Sequence, residues 1–185
     1  MQSRVSNAMS KLKTKFKKIY YLYGETINDE DKITPVYYAI YHDESLDLIK
    51  ELIKHDRSFI SSPDVHGISP LMLAIVKHCD FSLIKLLIEE GANLNQIDSL
   101  NGFHAMHFAI YNLITDYNNK MKNENNETLK IYKNSLKIVK LLDEKNPDLI
   151  NKASKEGIVP AQLINPYTFP DITHDIFSNY VIVNH

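Results

Sequence analysis

Cysteine is almost missing from this 185-residue chain: Cys79 stands alone, which rules out an intramolecular disulfide and makes a reducing, cytoplasmic setting the expectation. Tryptophan is absent, and glycine occurs only five times. No run approaches the ~18 consecutive apolar residues that a membrane-spanning helix needs. The N-terminus lacks the apolar core of a secretory signal. Neither sign of charge dominates, since 21 Lys and Arg face 23 Asp and Glu for a net charge of −2. So balanced a chain offers no global case for nucleic-acid binding, which favours a strongly basic face. What is present, 44% hydrophobic and 24% charged residues, suits one globular domain with its own core, and a monomer is expected.

The chain repeats itself. Thr34-Pro35-Val36-Tyr37-Tyr38-Ala39-Ile40 is followed 35 residues later by Ser69-Pro70-Leu71-Met72-Leu73-Ala74-Ile75. A further 35 residues give His104-Ala105-Met106-His107-Phe108-Ala109-Ile110. Downstream, Leu48-Ile49-Lys50-Glu51-Leu52-Ile53 steps by 35 onto Leu83-Ile84-Lys85-Leu86-Leu87-Ile88, whereas Ile138-Val139-Lys140-Leu141-Leu142 lies 55 beyond Leu83. The third unit therefore carries 20 extra residues between its halves. Gly67, Gly102 and Gly157 mark turns at the same 35 and 55 spacing, and a part-unit opens at Gly157. Thr or Ser before Pro predicts an N-cap followed by proline at the first helical position, where its missing N–H costs nothing. The alanines leave room for helices to approach, and Gly91 closes a second helix.

These residues resemble the ankyrin repeat, whose unit of about 33 residues opens its first helix with Thr-Pro-Leu-His-x-Ala. Tyr37, Met72 and Gln162 stand where that family prefers His, Ala105 where it prefers Pro, and Gly91-Ala92-Asn93-Leu94-Asn95 resembles its closing run. The resemblance implies an all-α helical solenoid, an ankyrin-repeat stack with short β-turn or hairpin tips and a long insertion in the third repeat. The repeat domain spans 30–164, as 30–63, 64–97, 98–151 with its insertion near 113–134, and a partial 152–164. Residues 1–8 read as the remnant of an expression tag. Residues 9–29 read as an N-terminal capping helix and linker with a lysine-rich face, and 165–185 as a tail packing on the last repeat. Both helices of unit three are expected to run past their repeat-mates to a mobile tip near 118–127.

No catalytic, metal-ligating or cofactor-binding residue is expected. His104 and His107 have the i, i+3 spacing of a metal pair but no third ligand, and the resemblance gives His107 a hydrogen bond between units. His78-Cys79 reads as a turn rather than a base and nucleophile, because adjacent helical residues point about 100° apart. For binding, the resemblance implies a concave surface made of the tips and first helices. It draws on tip residues Asp31, Ile33, Val65, His66, Ile68, Asn101, Phe103, Glu156 and Ile158, and on the helix residues Tyr41, His42, Val76, Lys77, Tyr111 and Asn112. The partner set is Ile33, Tyr41, His42, His66, Ile68, Val76, Lys77, Asn101, Phe103, Tyr111 and Asn112. Tyr and Phe bring large contact area at low entropy cost. The expected function is a protein–protein interaction module without enzymatic activity, similar by analogy to small viral or bacterial ankyrin proteins acting in a host cytosol. Its alternatives are the targeting part of a larger enzyme and a membrane-surface adaptor using the lysine-rich first helix.

Overall fold

The computed structural model describes residues 33–123, 125–164 and 167–177. The tag remnant, the N-terminal capping helix, Asp31 and the end of the tail lie outside them. Helix pairs follow one another: α1 (Pro35–Tyr41) with α2 (Leu46–His55), α3 (Pro70–Val76) with α4 (Phe81–Glu89), and α5 (Ala105–Lys122) with α6 (Asn126–Lys145). A short α7 (Pro160–Leu163) and α8 (Pro170–Phe177) complete the set. Helices α1, α3, α5 and α7 pack in succession, and α4, α6 and α8 form a parallel row behind them. The fold is the expected helical repeat solenoid, with no strand among the described residues.

Local chemistry explains the helix starts. Thr34 Oγ1 accepts from the Tyr37 N–H at 3.2 Å, and Ser69 Oγ accepts from the Met72 N–H at 3.2 Å, each just before a proline. At unit three the cap is His104, and His107 Nδ1 accepts the His104 N–H at 3.3 Å. Corresponding core positions are equally inaccessible: Ala39, Ala74 and Ala109, then Leu52, Leu87 and Leu142, have at most 2% of their surface exposed. Burial at the same register in every unit makes one continuous core from pairs that could not each bury a face alone.

The three tips after the first are each built round one polar side chain. Asp64 Oδ1 accepts from the His66 and Ile68 N–H groups, and Ser154 Oγ accepts from Ile158. The Asp98 carboxylate takes three, from Leu100 at 2.9 Å, Asn101 at 2.7 Å and Phe103 at 2.6 Å. Tips also join one another, Ser99 N–H to the His66 carbonyl at 2.8 Å and Lys155 N–H to the Asn101 carbonyl at 3.0 Å. That approach requires glycine at Gly67 and Gly102. Both have positive φ, and an added Cβ would lie 2.8 Å from the Ile97 carbonyl oxygen or 2.9 Å from the Lys155 nitrogen.

Between their two helices, units one and two turn through Asp43 (φ 54°) and His78 (φ 55°), residues 35 apart that adopt the left-handed conformation. The corresponding residue of unit three is Leu113, fully buried within α5. Unit three therefore does not turn there: α5 runs 18 residues and α6 runs 20, against 7 for α1 and α3 and 10 and 9 for α2 and α4. Their connection, expected near 118–127, narrows to 123–125, because Asn125 Oδ1 caps α6 by accepting from Glu127 and Thr128.

The extension braces its neighbours. Asn112 Nδ2 donates to the Ile75 carbonyl at the end of α3 at 2.6 Å. Asn134 Oδ1 accepts the Phe81 N–H at 3.2 Å at the start of α4, whose own N-cap, Asp80, makes no side-chain bond. Thus unit three gives the Phe81 N–H a partner that the helix's own cap does not supply, and adds a second bond to the Ile75 carbonyl, which already accepts from the His78 N–H at 2.9 Å. Buried Asp116 accepts from Ser135 Oγ at 2.5 Å and stands 3.6 Å from His78 Nδ1. On the other side, Tyr117 and Tyr132 meet edge to face, and Phe169 meets Tyr117 likewise. Helix α8 buries Ile172 and Ile176, and its Asp175 accepts from the Tyr132 hydroxyl at 3.4 Å.

Asp98→Ala should lower stability by about 2–4 kcal/mol, because it removes one charged acceptor from three backbone donors. Urea unfolding followed by circular dichroism checks this, and an unchanged midpoint would contradict the role given to Asp98.

Candidate binding surface

The first helices of the three full units each bury one face and carry, at the same register, a large side chain in solvent; that register is the end of α1 and α3 and the interior of α5. Tyr41 is 58% exposed, Val76 47% and Tyr111 69%, at one-unit spacing. Beside this row His42 is exposed and lies with its ring 4.0 Å from Tyr38 and 5.1 Å from Tyr41. Lys77 is only half-buried, yet its ammonium is already engaged. It pairs with Asp43 Oδ1 at 2.9 Å, donates to the Tyr41 carbonyl and lies 5.5 Å from the centre of the Tyr41 ring. Lys77 thereby holds the Tyr41 end of α1 in place.

Asn112 departs from the expected surface. It is 8% exposed, and its amide is spent on the Ile75 carbonyl. The reason is the lengthened α5, which carries the chain over unit two where units one and two turn away. The tip residues divide. His66 and Val65 are exposed, as is Glu156, whereas Ile33, Ile68, Asn101, Phe103 and Ile158 are half-buried. Ile33 and Ile68 lean on the core, and Phe103 stacks on His107 with ring centres 4.8 Å apart. One exposed residue escaped the sequence reading: Leu100, at 84%, the counterpart of Val65 one unit earlier. Its signal was present in the spacing. Asp98 to Gly102 is one residue longer than Asp64 to Gly67 or Ser154 to Gly157, and the extra residue pushes Leu100 outward.

The histidine pair is structural in its bonding. His107 Nδ1 accepts from the His104 N–H, so its proton sits on Nε2, which donates to the Ile158 carbonyl of the next unit at 2.9 Å. Tyr37 makes the equivalent reach in unit one, its hydroxyl donating to Asp64 Oδ2 at 2.9 Å. His104 Nε2 donates to the Lys152 carbonyl at 3.2 Å, which leaves only its Nδ1 lone pair uncommitted. Among the described residues no three His, Cys, Asp or Glu side chains gather as a metal would require. His78 addresses Asp116, and burial pushes the Cys79 thiol above its usual range, away from the reactive thiolate.

Comparison with known proteins agrees with this geometry. A family model described as ankyrin repeats (3 copies) matches residues 8–98. The chain is 32% identical over 83 residues to the rat protein named ankyrin repeat and SAM domain-containing protein 6, and 33% identical over 84 residues to the mouse protein of that name. Each match covers 45% of this chain and 9% of the relative, so the chain spans only a small part of those proteins' length.

The buried imidazoles give the stack a pH dependence. Burial pushes His104 down to about 4 and lowers His107 as well. An unfolded chain binds these protons first, so the stability from neutral His104 is complete above about pH 6.5 and declines as pH falls toward 4, by about 3 kcal/mol in all. Melting temperature should therefore drop between pH 7 and pH 5. His104→Gln, which keeps a donor for the Lys152 carbonyl, should flatten that slope; an equal slope in the variant would refute the assignment.

Proposed function

We propose that this chain, an ankyrin-repeat protein, binds a partner protein on the surface made by its exposed tips and first-helix ends. Ankyrin repeats are generally protein–protein interaction modules. The observation that carries the reading is the row Tyr41, Val76 and Tyr111, three large side chains kept in solvent at one-unit spacing while the residue before each, Ile40, Ile75 and Ile110, is buried. Such a row offers aromatic anchors at the pitch of the stack, where a few residues carry most of the binding free energy. Val65, His66 and Leu100 extend it along the tips, and His42 adds a polar group beside Tyr41. No described helix is long and apolar enough to cross a membrane.

A second reading is favoured by the comparisons, in which the matched stretch is 9% of each relative. On that reading the repeats are the recognition part of a longer protein. Both readings use the same surface, and a reading frame extending well past His185 would support the second.

The partner is to be isolated by affinity capture and its dissociation constant measured by calorimetry with the purified chain. Tyr41→Ala combined with Tyr111→Ala should weaken binding by about 2–4 kcal/mol, some thirtyfold or more, with the melting temperature nearly unchanged. Full affinity in the double variant would refute the surface assignment.

A further inference from the structure

We infer that the outer face of α6 is a docking stripe for an acidic protein segment, separate from the first-helix row. Lys130, Lys133, Lys137 and Lys140 are all exposed. At about 100° per residue they fall within an arc of about 80° and run along about 15 Å of helix. On the other second helices Lys50 pairs with Asp47 and Lys85 with Glu89. On α6 the outer two lysines have carboxylates within a turn, Glu127 for Lys130 and Asp143 and Glu144 for Lys140, and the central pair lacks that offset. Lys133 and Lys137 have no carboxylate three or four residues away in either direction. Among the described residues, none of the four lysines joins an ion pair. Each has another lysine of the stripe three or four residues away, where like charges destabilise a helix. An anion laid along the stripe relieves that repulsion, so the face is biased toward one.

The surroundings favour carboxylates on a protein over other anions. A lipid surface takes up a basic helix face together with exposed apolar side chains. Here the flanking Leu129 and Leu136 are half-buried, and the exposed Ile131 sits about 100° round the helix from Lys130. Nucleic acid favours a broad basic surface. This stripe is one helix wide, ends beside Glu144 and belongs to a chain of net charge −2. A glutamate-rich helix or extended run can match the lysine spacing one carboxylate at a time.

The test titrates the full chain into a fluorescent polyglutamate peptide of about ten residues, a length that spans the stripe as a helix, and follows anisotropy at low and high salt. Binding is expected at low salt and should fade as salt screens it. Lys133→Glu and Lys137→Glu, each alone, should weaken binding about fivefold or more. Each should also raise the melting temperature slightly, since each puts a carboxylate three or four residues from two lysines. Lys85→Glu on α4 should leave peptide binding unchanged. Equal peptide affinity in both α6 variants would overturn the inference. So would a failure of the peptide to bind, or lysine-dependent binding to phosphatidylserine vesicles or duplex DNA in its place.

Discussion

Successive first helices meet over Ala39, Ala74 and Ala109, and the rest of the architecture follows from how closely those small side chains let them approach. Behind them the inaccessible leucines at 52, 87 and 142 show the second helices burying one face at a constant register. Stability in such a stack is close to a sum of unit and interface terms, so each interface must be satisfied locally. The tips obey the same rule. Asp64, Asp98 and Ser154 collect the backbone donors of their own turns, and Gly67 and Gly102 let the next turn come within hydrogen-bonding distance.

Unit three shows what happens when the turn between helices is removed. Asp43 and His78 can take the left-handed conformation that reverses the chain; Leu113 is poorly suited to it, and α5 continues. Continuing adds about three turns to each helix beyond those of units one and two. The sequence lines that extension with polar side chains on the side of unit two and aromatics on the other. Asn112 and Asn134 act as caps supplied by a neighbour, while Tyr117, Tyr132 and Phe169 close the side on which α8 packs. The insertion is therefore a brace for the helix ends of unit two and a seat for the last helix.

Much of this was readable before any coordinates. The 35-residue period places the alanines, the Thr-Pro and Ser-Pro starts and the buried leucines without tertiary information, because each follows from helical periodicity and capping. His107 and its bond to the next unit followed from the family pattern. Other features were out of reach, for identifiable reasons. Asn112 occupies the position of a surface residue, and only the path of the lengthened helix brings it over the Ile75 carbonyl. The engagement of Lys77 depends on Asp43 of the preceding unit, a pairing that depends on inter-unit geometry. Leu100 was legible in principle, since Val65 steps by 35 onto it and the longer spacing from Asp98 to Gly102 signals a protruding tip.

Rigidity links these features to binding. A protruding Leu100 on a mobile loop would lose conformational entropy on docking and return part of its burial energy. Here three hydrogen bonds to Asp98 and the contact with Lys155 across Gly102 already fix the turn, so ordering that part of the surface costs little when a partner arrives. The same reasoning applies to Tyr41, held by Lys77 and flanked by His42, and to Tyr111, whose backbone is fixed inside α5. On the surface proposed above, affinity per contact is expected to be greatest toward the first unit and at the unit-three tip, and a partner engaging both would span unit two, with Val76 as the intermediate contact.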